Sequence, residues 1–254
     1  MRFCFTGRGL IKAWGKMMTT QSVTYLRDQR FFVRLSAILA AFIVFSFAQY
    51  AARGYVDIPH APWWMHVHGV LMVSWLGIFV TQNVLAANGN LALHRKLGWI
   101  ATCMVVVIVA LGALMITDVL QHKMVPFFFT PAMFAVQNVF NFITFAALVF
   151  TGVYFRRQVQ YHRRFMIAAV VILTGPALGR ILPMPLLGVW GEPVQILIDL
   201  GIFGVLALHD RRIFGHVHRA TKTGVAVLLG IHVAGAFAAL NPGVIALVDR
   251  IAAS

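Results

Sequence analysis

Acidic side chains are scarce in this chain. Asp and Glu number 7 in 254 residues, and charged residues of both signs make up only 11%. Soluble domains carry about a quarter charged residues, so a water-soluble globule is excluded. Cysteine is scarcer still. Cys4 sits in a basic N-terminal stretch and Cys103 inside an apolar run, so no disulfide framework, CxxC pair or zinc knuckle can be assembled. The chain also lacks a P-loop, a GxGxxG fingerprint, a GxSxG elbow, a Cys–His nucleophile arrangement and an HExxH pair. Those absences exclude nucleotide-driven chemistry, nucleophilic hydrolysis and the commonest zinc-peptidase pattern. The last apolar run contains no lysine, so a retinal Schiff base is excluded as well.

What is abundant is apolar: 60% of residues are hydrophobic and the mean hydropathy is +0.83. Runs long enough to cross about 30 Å of hydrocarbon recur near 34–52, 64–87, 97–117, 129–155, 165–187, 190–209 and 223–247, the sixth interrupted by Glu192 and Asp199. Backbone polar groups cannot stay unpaired in lipid, so the runs predict helices, and no strand alternation of the barrel type is present. The expected fold is an all-α polytopic bundle with seven transmembrane helices. Its expected parts are a basic segment over 1–33, a membrane domain over 34–247 built as one helix plus three hairpins, and a short tail over 248–254.

Formal net charge is +14. The N-terminal segment and the second-to-third, fourth-to-fifth and sixth-to-seventh connectors hold 17 Lys and Arg, while the other side holds only Arg53, Lys123, Arg180 and Arg250. The positive-inside rule then predicts a cytoplasmic N-terminus and an external C-terminus, in the cell inner membrane. Topology and anionic headgroups on the cytoplasmic side account for the charge, so no nucleic acid partner is implied. The N-terminal cations lack an apolar stretch of signal-peptide length with a cleavage site, so the segment is expected to be uncleaved. Met17 or Met18 is an alternative start, which would make the first 16 residues dispensable.

Three connectors on the basic side end alike, in Leu-His94-Arg95, Tyr-His162-Arg163 and Val-His218-Arg219. Each dipeptide stands where a helix re-enters the membrane, which suggests a loose internal repeat. Two readings stay open. The pairs mark the interface and meet lipid phosphate, or they line one anionic site for a phosphate or a porphyrin propionate. The stretch from His68-Gly69 through Trp75 and Gln82 to Leu93-His94-Arg95-Lys96-Leu97-Gly98 resembles a widespread family of uncharacterised bacterial multi-pass membrane proteins. His162-Arg163-Arg164-Phe165-Met166 and Pro176-Ala177-Leu178-Gly179-Arg180 are similar to that family's second signature. The resemblance covers most of 60–225 and implies a multi-pass membrane fold without an established activity. At fold level it is also similar to small membrane b-type cytochromes and oxidase-assembly proteins, which implies haem b and a quinone or respiratory-complex partner.

Ionisable groups at membrane depth cost roughly 2.5–3.5 kcal/mol each, so each is a candidate site. At about 1.5 Å per residue, Asp199, Asn141 and His232 should lie roughly 10–16 Å from the external ends, and His68 and Arg180 roughly 5–10 Å. With Asn138, three residues before Asn141, these six form an expected polar column, within which Asp199 and Arg180 could pair. The alternative is that they only hold helices together, at about 0.6 kcal/mol per bond. His68 and His232 are the pair expected to ligate the iron of haem b, with His94, Arg95, His162 and Arg163 near the porphyrin edge or a quinone headgroup. His60, His66 and His68 form a second metal candidate, provided the helix begins after His66. The competing reading is a proton-coupled small-solute carrier or channel, with Asp199 and His232 titrating, Arg180 attracting anions and Asn138 and Asn141 holding solute. A scaffold subunit whose polar groups only pack is the third.

Overall fold

The computed structural model describes the backbone of residues 7–254 and the side chains from Asp28 onward. Cys4, the cations from Arg2 to Arg27 and the alternative starts at Met17 and Met18 fall outside the described side chains. The element order is α1 (Gly7–Ala52), α2 (Trp63–Ala87), α3 (Leu91–Gln121), α4 (Pro131–Tyr154), α5 (Val159–Ile181), a short α6 (Met184–Leu187) leading through a 3-10 turn into α7 (Gly191–Phe214), then α8 (Arg219–Ala239) and α9 (Pro242–Ala253). No strand occurs among the described residues. Seven of these stretches are long and apolar enough to cross a membrane. The chain is an all-α, multi-pass membrane protein.

Sequence sets the helix ends. Asn90, Thr130, His218 and Asn241 cap α3, α4, α8 and α9, each side chain accepting a backbone N–H of the first turn, and Pro131 and Pro242 follow two of them. The Asn241-Pro242 pair corrects the expected seventh span. It ends at Ala239 rather than 247, and the expected tail is part of the amphipathic helix α9, which packs on α3, α4 and α8. The first helix also runs without a break through the expected boundary at 34.

One helix is the axis of the bundle. The most apolar stretch of α5 is 72% buried, against 17–39% for the other six spans. It is surrounded by α1, α4, α7 and α8, while α2 and α3 form a hairpin against α1 and α4. The small residues Ala168, Ala169, Gly175 and Ala177 of α5 are buried, and such residues let helices approach closely where lipid offers no hydrophobic drive between them. Large exposed side chains such as Ile38, Phe45, Val106, Leu208 and Phe237 meet the acyl chains. Gly112 of α3 sits where a Cβ would run into the Phe142 ring of α4. Gly112→Val is therefore expected to cost about 1–3 kcal/mol of overpacking, seen as a lower melting temperature in detergent; an unchanged value would mean that α3 and α4 are not locked there.

Candidate functional site

On α7 the residues Glu192, Gln195, Asp199, Phe203, Leu206 and Asp210 follow a 3-4 spacing and share one face. All but Glu192 are buried. Polar groups sit at both ends of this stripe and two apolar ones in its middle, and the two ends behave as separate sites.

At the end away from the basic connectors, Glu192 meets α8. Its carboxylate lies 2.9 Å from His232 Nδ1, with the Glu192 side chain 39% exposed and His232 only 9%. Gln137, Phe140 and Asn141 of α4 complete an open pocket of about 160 Å³ around this pair. That is small beside the ~300–1,000 Å³ of pockets for drug-sized ligands. Gln195, one turn below Glu192, lies across Gly175 of α5, where a Cβ would approach its amide nitrogen to 2.9 Å and the Asn141 amide to 3.8 Å. One turn further, Asp199 is 1% exposed. The Thr174 hydroxyl lies 2.5 Å from both Asp199 Oδ1 and the Val171 carbonyl. A hydroxyl has one hydrogen to give. Thr174 therefore donates to one of these two oxygens at a time, or accepts from a protonated Asp199 while donating to Val171. Two residues on, Pro176 stands inside α5 and cannot donate to the Ile172 carbonyl, so the helix lacks one backbone bond beside this contact.

Beyond Asp199 the stripe turns apolar. Phe203 and Leu206 are fully buried, and Phe203 fills the space beside Gly224 and Ala168, leaving no room for a Cβ at Gly224. No polar group of this stripe bridges Asp199 and Asp210.

The basic end holds a closed ionic network. Arg164 of α5 is 0% exposed and ion-paired with Asp210, its Nε donating at 2.9 Å while Nη1 donates to the Gln160 carbonyl at 3.0 Å. The second oxygen of Asp210 accepts from the Thr221 hydroxyl at 2.6 Å and from the His218 N–H at 3.0 Å. Beside it, Arg163 pairs with Asp28 of α1, whose other oxygen accepts from His209 Nε2 at 2.8 Å. His209 stacks on Phe31 at 3.7 Å, and the Phe32 ring lies under both guanidinium groups. Buried charges persist only when paired and hydrogen-bonded, and this set ties α1, α5, α7 and α8 together.

His218 caps α8 by accepting the Ala220 N–H on Nδ1. Partial burial holds its imidazole below the ordinary value of 6.5; the nearby Arg164 charge lowers it further and Asp210 opposes. The folded protein therefore takes up this proton less readily than the unfolded chain, so the contribution is intact above the ordinary histidine range and is lost as pH falls through it. Wild type should lose melting temperature between about pH 7 and pH 5, and His218→Asn, which keeps a capping oxygen, should lose less. Identical curves would remove His218 from the account.

The expected column is thus brought together in part. Asn141 and His232 line the pocket with Gln137 and Glu192, and Asp199 lies deeper on the same α7 face, against Thr174. Asn138 donates to its own helix at Phe134. Arg180 does not pair with Asp199: it donates to the Pro176 carbonyl and lies over the Phe47 ring at 4.0 Å. The His68 ring meets Phe142 edge-on, and its buried Nδ1 has no hydrogen-bond partner among the described residues. Phe142 and the pocket residues Gln137 and Phe140 project from opposite faces of α4, so His68 and His232 do not face each other and do not fit the axial pair of a haem. The three-histidine set also disperses, since α2 begins at Trp63, His66 is exposed and His60 bonds Asp57 at 2.8 Å. Arg95 is exposed, whereas Arg163 is turned inward on Asp28 instead of toward headgroups.

The sequence reading passed over Asp28, Asp210 and His209 as site residues. A signal was present: two of the 7 acidic residues stand among Arg27 and Arg30 or Arg211 and Arg212 at the basic membrane edge. Comparison with family models, with curated proteins and with solved structures gives no match.

Proposed function

We propose that the chain is a proton-linked carrier of a small polar solute, oriented in the inner membrane with its basic connectors in the cytoplasm. The observation that carries this reading is one small pocket lined by two amide side chains, Gln137 and Asn141, and the Glu192–His232 pair, with the buried Asp199–Thr174 contact two turns deeper on the same face of α7. Gln137 and Asn141 offer donors and acceptors to a solute that fits between α4, α7 and α8. Glu192 and His232 exchange a proton with the open side, and Asp199 holds it deeper, next to the Pro176 interruption in α5. Phe203 and Leu206 separate this space from the basic end, as a carrier requires of any one conformation. The reading of a redox protein with haem between His68 and His232 finds no matching arrangement of those two rings.

The test is solute-dependent proton flux. Purified protein is reconstituted into liposomes with a trapped pH dye and challenged with a panel of small neutral and zwitterionic solutes. At least one solute is expected to change lumenal pH in protein-containing vesicles and not in empty ones. A panel without any response, with protein correctly inserted, would leave the scaffold reading in its place.

A further inference from the structure

Two of the three repeated histidines meet at the basic end, outside the carrier pocket and independent of it. His94 opens α3 and His162 opens α5, and their ring centroids are 6.2 Å apart with an interplanar angle of 79°. Each ring is braced in the same way. His94 Nδ1 lies 3.2 Å from the Gln82 carbonyl of α2, and His162 Nδ1 lies 2.8 Å from the Gly152 carbonyl of α4. A carbonyl can only accept, so Nδ1 carries the hydrogen in both rings and each neutral imidazole is left with a lone pair on Nε2. Neither Nε2 has a hydrogen-bond partner among the described residues. A ring fixed through Nδ1–H to a backbone carbonyl, with Nε2 available, is the bracing used by metal-ligating histidines.

We propose that His94 and His162 together bind one transition-metal centre through their Nε2 atoms. The lone pairs on Nε2 of two neutral rings suit a Lewis acid. The spacing narrows the metal further. With metal–nitrogen bonds of about 2.0–2.1 Å, two imidazoles on one metal have centroids roughly 5 Å apart at a tetrahedral angle and near 6.5 Å when opposed. The observed 6.2 Å is at the opposed end. Tetrahedral zinc would need two more protein ligands, and no cluster of three or more His, Cys, Asp or Glu exists among the described residues. Opposed imidazoles suit a two-coordinate copper(I) ion or iron whose equatorial positions are filled by a porphyrin. Arg95 and Lys96 adjoin His94, and their charge favours an ion of low charge over a divalent one.

The experiment uses the purified full-length protein in detergent, with copper(I) buffered by a chromophoric chelator in one arm and haem in the other. Wild type is expected to take one equivalent of one of the two, as chelator competition for bare copper or as a low-spin Soret band for haem. His94→Asn and His162→Asn place an amide N–H where Nδ1–H was and delete Nε2. Each should weaken binding on the order of 100-fold or more, the scale of losing a directly coordinated ligand, while His122→Asn should not. If the variants fail to fold, diethylpyrocarbonate labelling of wild type is the second readout: the bound metal should protect His94 and His162 and leave His122 reactive. Binding that survives in either folded variant, labelling that the metal does not change, or a wild type that takes neither copper nor haem would overturn the proposal.

Discussion

Asp210→Ala is expected to destabilise the protein by about 3–5 kcal/mol, the cost of stranding a buried charge, enough to leave little folded material in detergent. Arg164 is 0% exposed and has one carboxylate partner, so the substitution leaves a guanidinium inside the bundle without a counter-charge. The same change orphans the Thr221 hydroxyl and the His218 N–H at the start of α8. Geometry separates this from a simple count of ion pairs. A buried pair replaced whole by apolar groups of similar size is often neutral or stabilising, whereas removing one partner is not. The double variant Arg164→Met with Asp210→Leu should therefore recover much of the loss. Quantity of monodisperse protein and melting temperature measure both. A stable single variant, or a double variant worse than the single, would show that the pair is not the element holding α5 to α7 and α8.

Asp199→Asn is expected to abolish solute-driven proton flux while leaving solute binding and stability nearly intact. The residue is 1% exposed, and its polar contact is the Thr174 hydroxyl. An amide fits the same space and can donate to Thr174, so the fold keeps its hydrogen bond. It cannot release a proton. Thr174→Val is the complementary change: it keeps the carboxyl but removes its hydroxyl partner, and should slow flux without abolishing it. Bound solute is read by thermal shift and flux by the trapped dye. Unchanged flux in Asp199→Asn would remove the carrier mechanism, and loss of both flux and solute-induced stabilisation would reassign Asp199 to binding.

The spans were legible in the sequence because each is a long apolar run bounded by polar connectors. The break at Asn241-Pro242 was harder to see, since Val244, Ile245 and Leu247 keep the run apolar across it. Depth along a helix was legible only in part: Asn141 and His232 line one pocket with Glu192, while Asp199 lies two turns deeper on α7. Azimuth was not. Arg180 follows Thr174 by six residues on α5, which turns it about 120° away from the Asp199 side, and it ends against α1. His68 and His232 were matched by depth, but which face of α4 each would meet depends on how the hairpins pack. The basic-end network was missed because counting cations for topology treats Arg163 and Arg164 as headgroup contacts, whereas both have partners inside the bundle. The repeated His-Arg dipeptides were visible from the start. That two of the three histidines meet, and that the third caps α8, follows only from their positions in space.

The burial of α5 constrains how the protein is made. Its most apolar window has a mean hydropathy of 1.5, against 2.7 for α3, and the helix contains Arg163, Arg164 and Arg180. Leaving the translocon alone, such a segment partitions poorly into lipid, because charged side chains disfavour insertion. Asp210 is not yet synthesised at that moment, so Arg164 has no carboxylate to meet, while Asp28 on the first helix is already in place for Arg163. Stable integration of the axis should therefore wait for α7 and α8, and a ribosome-bound chain truncated after residue 190 should hold its fifth span less firmly than the complete chain does.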